Sequence, residues 1–255
     1  MILASPSATP TYPLTKYLPD PKFEHYLHMH RLFTLLILTL SITAYAQEST
    51  CYGTTSNGRL EGGVRLPSAG NNFISYSTTA EMLGRTYIHS KVRDIIIDSY
   101  KSLETEAPNK VFKYAETGFK EGGKFRPHKT HRNGLSVDFM VPVLNKEGLS
   151  VHLPTNYFNK LGYNIEFDKN GRYKEYSIDF RALAAHIVTL HKSAKKHDAN
   201  IWRVIFDPML QPKLFQTEYG PYLKKHVQFS NTRSWVRHDE HYHVDFDIKC
   251  KSNQR

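Results

Sequence analysis

Polar and apolar residues alternate most regularly near the C-terminus, where His241-Tyr-His243-Val-Asp245-Phe-Asp247-Ile248 changes character at every step. An extended strand repeats its side-chain direction every second residue. His241, His243, Asp245 and Asp247 therefore share one face, and Tyr242, Val244, Phe246 and Ile248 form an apolar face that requires a core. Residues 135–143 alternate in the same way up to Pro142, and Trp202-Arg-Val-Ile-Phe206 reads as a buried strand ended by Asp207-Pro208. Elsewhere the period lengthens. Val92, Ile95, Ile96 and Tyr100 recur at helical spacing in the second half of 78–103. Leu183, Ile187, Leu190 and Ala194 form the inner stripe of a helix over 178–196. Between these, 163–176 predicts a hairpin turning at Asn170-Gly171. Residues 51–80, rich in Gly, Ser, Thr and Asn, predict loops with short strands, and 118–127 is a loop in which Gly122-Gly123 permits unusual backbone angles. Antiparallel strands with two helices make the fold class α+β: a small antiparallel sheet flanked by helices and loops.

With 255 residues, 40% hydrophobic and 23% charged, the chain has the composition of one soluble globular domain. Its early part is different. Met29-His-Arg31 precedes the apolar run Leu32–Leu40, and Ala44-Tyr-Ala46 stands before Gln47. A short basic segment, an apolar stretch and an Ala-x-Ala site predict a secretory signal peptide, and the run is too short to span a bilayer. Residues 1–28, rich in Pro and Tyr and without periodicity, read as a leader ahead of a true start at Met29; the alternative is a long signal n-region. The expected organisation is thus 1–28 leader, 29–46 signal peptide and 47–255 one domain, exported to the periplasm without stable membrane insertion. The formal net charge is +10, and removing 1–46 takes away Lys16, Lys22, Arg31, Asp20 and Glu24 to leave +9. Such a protein is drawn to anionic polymers, whether wall, lipid headgroup or nucleic acid. The two cysteines, Cys51 and Cys250, read as a disulfide in an oxidising compartment, with two free thiols as the alternative.

Two clusters carry candidate chemistry: His128-Lys-Thr-His131-Arg-Asn-Gly134-Leu-Ser-Val-Asp138 and His238-Asp-Glu-His241-Tyr-His243. Catalytic zinc takes three protein ligands and one open position. His131 and Asp138 can converge across Asn133-Gly134, and His243 supplies a third ligand from the second strand. A site with one anionic ligand brings the pKa of a bound water toward ~7. His241, beside His243, is placed to take the water's proton, and His238 to stabilise the oxyanion or protonate the leaving amine. His128 is a supporting partner or an extra ligand. Against this stands the bland alternative: the chain holds 14 histidines, and clusters also form plain hydrogen-bond networks. His186, His191 and His197, together with His89, His152 and His226, read as solvated.

The segment from Gly123 to Asp138 resembles the His-(six residues)-Asp motif of the lysostaphin/D-Ala-D-Ala metallopeptidase/hedgehog-type zinc fold, and His241-Tyr-His243 resembles its His-x-His motif. More narrowly, His128-x-x-His131, the Gly134-Leu-x-Val-Asp138 run and His238-x-x-His241-x-His243 together resemble the penicillin-insensitive murein endopeptidase family. Leu66-Pro-Ser-Ala-Gly-Asn-Asn-Phe73, Leu83-Gly-Arg-Thr-Tyr87 and Ile205-Phe-Asp-Pro208 are further echoes. The resemblance implies zinc on His131, Asp138 and His243, with His128 close to the metal. It also implies catalytic roles for His241 and His238, a Cys51–Cys250 bridge tying the termini, and periplasmic cleavage of the D-alanyl–meso-diaminopimelate cross-link of peptidoglycan. One zinc per chain is expected, because the second metal position of some relatives, an Asp with a nearby His after the first motif, has no clear match: Asp168 is present, but the later position falls near Tyr173. Alternatives are a D,D-carboxypeptidase, a non-catalytic zinc-binding module and a secreted metal-dependent nuclease. The last is disfavoured, since a site of one Asp among histidines suits zinc rather than the hard cations nucleases use, so no nucleic-acid partner is expected.

Overall fold

The computed structural model describes residues 48–232, 234 and 236–253, so the expected leader and signal peptide lie outside the described residues. The chain opens with four short strands, β1 (Thr50–Gly53), β2 (Gly58–Glu61), β3 (Val64–Arg65) and β4 (Phe73–Ser75). Helix α1 (Thr78–Met82), β5 (Tyr87–Ile88), the long helix α2 (Ser90–Glu106) and β6 (Phe112–Tyr114) follow. After β7 (Ser136–Met140) come β8 (Val143–Leu144), β9 (Ser150–Val151), β10 (Arg172–Tyr173) and β11 (Tyr176–Ile178). The C-terminal part holds α3 (Phe180–Lys196), β12 (Asn200–Ile205), α4 (Gln211–Phe215), α5 (Gly220–His226) and β13 (His241–Asp247).

The centre is a five-stranded sheet in the order β12-β13-β7-β6-β4, antiparallel except for the β4–β6 pair. Its apolar face, with Val137, Phe139, Tyr242, Val244 and Phe246, is buried; His186 of α3 packs on Phe139, and Tyr100 of α2 packs on Phe73 and Phe112 toward the β4 edge of the sheet. Both helices are capped by their own sequence. Asp179 accepts from the Ala182 amide at the start of α3, and Lys195 and Lys196 lie in its last turn, where cations suit the helix dipole. At the start of α2, the His89 ring accepts from the Lys91 amide. The predicted inner stripe of α3 is buried in full.

The Cys51–Cys250 disulfide forms, linking β1 to the segment just after β13. Three expectations change. The hairpin turns at Lys174-Glu175, between the paired Tyr173 and Tyr176. Asn170-Gly171 instead closes a turn on Asp168, whose Oδ1 accepts from the amides of Asn170 and Arg172. Trp202 is 53% exposed, because β12 carries a register shift between Ile201 and Arg203. His89, His186 and His191 are buried, not solvated. His186 reaches through the core to bond the Tyr242 hydroxyl and packs against the rings of Tyr100, Phe112 and Phe139.

Candidate metal centre

The polar face of β13 meets the polar face of β7 at the middle of the sheet. In their antiparallel register His243 lies opposite Asp138, and Asp245 opposite Ser136. The loop before β7 returns His131 to the same point. His131 itself has φ 64°, and Gly134 has φ 76°. A Cβ on Gly134 would stand 2.8 Å from the His89 amide nitrogen and 2.7 Å from a Leu60 methyl, so only glycine lets the loop pass. Seven residues of sequence thus close onto one carboxylate.

Asp138 is fully buried and faces four imidazoles. Its Oδ1 lies 2.8 Å from His243 Nδ1 and 3.3 Å from His131 Nε2. Its Oδ2 lies 3.7 Å from His128 Nδ1 and 3.9 Å from His241 Nε2, and accepts a hydrogen bond of 3.0 Å from the Tyr163 hydroxyl. One donor atom each from His128, His131 and Asp138 fall within 4.8 Å of one another, a grouping able to hold a metal ion. His238 completes the set, its ring centroid 4.6 Å from that of His241. The structure therefore brings together all six residues singled out above.

The outer contacts test whether these residues fit a metal. His131 Nδ1 lies 3.0 Å from the Thr117 carbonyl, which fixes the ring, and its buried Nε2 has no hydrogen-bond partner among the described residues. His243 Nε2 lies 2.9 Å from Asp245 Oδ1, leaving Nδ1 directed at Asp138. Metal-binding histidines characteristically hold their second nitrogen against a carboxylate or a carbonyl. Both rings have that arrangement, and the donor set of imidazole and carboxylate suits zinc. The residues fit the group.

Electrostatics follow from burial and the crowding of charge. For Asp138 burial alone raises the pKa, but the surrounding His131 and His241 reverse it, and the carboxyl is held well below the ordinary carboxylate range. Burial lowers His131, which favours the neutral imidazole a metal requires. Burial also opposes charge on His243, yet Asp245 and Asp138 override it and push that ring up to about 10. Burial lowers His238 to about 3, so it is neutral at pH 7.

Several residues of the site escaped the sequence. Glu240 accepts from His241 Nδ1 at 2.8 Å. Asp245 accepts from Ser136 at 2.6 Å and from Arg203 at 2.7 Å, besides facing His243. Glu116 lies 2.5 Å from His128 Nε2 and also bonds Arg85 and Tyr76. Tyr163 packs edge-on against His241 and His128. Only Asp245 left a trace, as part of the alternating polar face; the others arrive from separate segments or, like Glu240, from the position just before the strand. Around these residues opens a cleft of about 550 Å³, lined among others by Tyr76, Lys160, Leu161, Arg203 and Ile205.

A family model described as Penicillin-insensitive murein endopeptidase matches residues 51–255 of this chain. No curated protein matches it.

Proposed function

The chain belongs to the penicillin-insensitive murein endopeptidase family, a peptidase family whose substrate is peptidoglycan, and from that premise we propose a zinc-dependent endopeptidase of the periplasm. It hydrolyses the D-alanyl–meso-diaminopimelate cross-link. The observation that carries this proposal is the convergence of His131 Nε2 and His243 Nδ1 on Asp138, with the far nitrogen of each ring held by an acceptor. His131, Asp138 and His243 would hold one zinc, with His128 as the adjoining donor. When bound, the metal supplies Lewis acidity and brings a coordinated water toward a pKa of ~7.

The chain's own residues then handle protons. Glu240 holds His241 by Nδ1, which directs Nε2 toward the Asp138 side of the cleft as the base. His238 donates from Nδ1 to the Val236 carbonyl at 3.0 Å, which leaves Nε2 turned to the cleft; once it has taken up a proton, Nε2 would meet the developing oxyanion or the leaving amine. Tyr163 orients Asp138 through its second oxygen. The cleft's lining runs from Arg203 and Ile205 on β12, across β13, to Pro127, His128, Lys160 and Leu161. A signal peptide at 29–46, behind a non-native leader at 1–28, would deliver a single domain, 47–255, to the compartment that holds the substrate; the disulfide accords with export. No helix among the described residues is long and apolar enough to cross a membrane.

Metal analysis joined to a cleavage assay tests the proposal. Purified protein should carry about one zinc per chain, in keeping with a three-residue site. Chelation should abolish cleavage of cross-linked muropeptide, and added zinc should restore it. Full cleavage by the stripped protein would contradict the proposal.

A further inference from the structure

Strand β12 breaks its alternation at one residue. Ile201 pairs with Phe246 and Arg203 with Asp245, so Trp202 is the extra residue of a β-bulge. Regular pleating would set Ile201 and Arg203 on the same face. With the bulge, Ile201 and Val204 stay in the core, and Arg203 and Ile205 turn to the polar face and line the cleft. Bulges recur beside active sites, where they re-aim a side chain. Here the side chain re-aimed is an arginine.

Arg203 is not free to wander. Its Nε donates to Oδ2 of Asp245, a fully buried carboxylate whose other oxygen faces His243. Neither of its two Nη groups donates a hydrogen bond to any described residue, and its side chain remains 32% exposed at the cleft wall. The carboxylates lining the same cleft are engaged: Glu116 by Arg85, Tyr76 and His128, and Glu240 by His241. Lys160, also in the lining, has no ion-pair partner among the described residues. The wall therefore presents the charge of Lys160 and, on Arg203, a planar fork held at Nε by Asp245 with both Nη groups left to pair, a geometry that matches a carboxylate with two parallel N–H···O bonds.

We propose that Arg203 is a specificity-determining residue that receives a free carboxylate of the peptide stem beside the scissile amide. This deepens the endopeptidase proposal and rests on it. A stem cross-linked through diaminopimelate bears such a carboxylate on the carbon attached to the scissile nitrogen. Binding that group through a fork anchored to the support of His243 ties substrate register to the metal site.

The test compares two cross-linked muropeptides, one with that carboxyl free and one with it converted to a carboxamide. Zinc-loaded wild type, Arg203→Ala and Arg203→Lys are assayed, and zinc content is measured for each. Wild type should prefer the carboxylate by about tenfold or more in kcat/KM, the size expected for a charge-assisted pair. Arg203→Ala should bring the ratio close to one, chiefly by raising KM for the carboxylate substrate, with zinc retained. Arg203→Lys, which keeps the charge and loses the fork, should fall between them. An unchanged ratio in the variants, with both substrates slowed equally, would overturn the proposal and leave Arg203 as a support for Asp245. If wild type cleaves neither peptide, the endopeptidase proposal fails separately, and calorimetric binding of the two peptides to wild type and Arg203→Lys decides this one. A carboxylate preference that narrows in the variant sustains it; equal binding of both peptides by wild type refutes it.

Discussion

His243 stands between two carboxylates, with Asp138 at one ring nitrogen and Asp245 at the other, and this sandwich shows how each residue of the centre can be tested alone. Removing the ring in His243→Ala deletes a proposed ligand, so zinc and activity should be lost together, as metal analysis and muropeptide cleavage will report. His241→Ala should keep zinc and lose activity by about 10²–10⁴-fold, the usual worth of a general base. Loss of metal there would exchange the roles of the two histidines. Asp245→Asn should weaken zinc binding by about 10–100-fold, measured by competition with a chelator, because the carboxylate only positions the ligand. The grouping of His131, Asp138, His241 and His243 was legible from two signals: strand parity, which paired His241 with His243, and the Asn133-Gly134 turn before Asp138. Glu116 and Tyr163 were not. Each reaches the site from a distant segment, and no local spacing records which segments the fold will bring together.

At the scale of elements, α2 and α3 were readable because each buries one stripe at helical period. The turn of the β10–β11 hairpin was misplaced for a physical reason. Gly171 does adopt φ 74°, as its sequence signal requires, but it serves the turn on Asp168 rather than the hairpin. The bulge in β12 is likewise silent in a run that reads as uniformly apolar apart from Arg203. His186 gives the clearest test here. It joins α3 to β13 through Tyr242, and burial lowers its pKa to about 3 from the usual 6.5. A folded pKa below the unfolded one means that the unfolded chain binds the extra proton first. Stability from this group is thus intact above pH 6.5 and lost as pH falls toward 3. Against His186→Leu, wild type should lose about 3–5 kcal/mol more stability over that window. Denaturant unfolding at pH 7 and pH 4 would reveal it, and parallel pH dependence in the two proteins would refute the assignment.

Over the whole molecule, the disulfide joins residues 199 apart and closes nearly all of the described chain into one loop. Closing so long a loop contributes about 4–5 kcal/mol on the chain-entropy view, so reduction should lower the melting temperature by roughly 10 °C. An unchanged melting temperature would show that the bridge does not constrain the unfolded chain. The α+β class, with a sheet that is polar on one face and apolar on the other, followed from alternation alone. The parallel β4–β6 edge did not, since pairing of distant short strands leaves no periodic signature. The most direct measurement is digestion of purified cross-linked peptidoglycan by the zinc-loaded protein, with and without chelator, read by mass spectrometry of the released muropeptides. Dimers should become monomers, cleavage should stop with chelator, and zinc should restore it. Intact dimers in the presence of bound zinc, or release of terminal D-alanine alone, would contradict a metal-dependent endopeptidase.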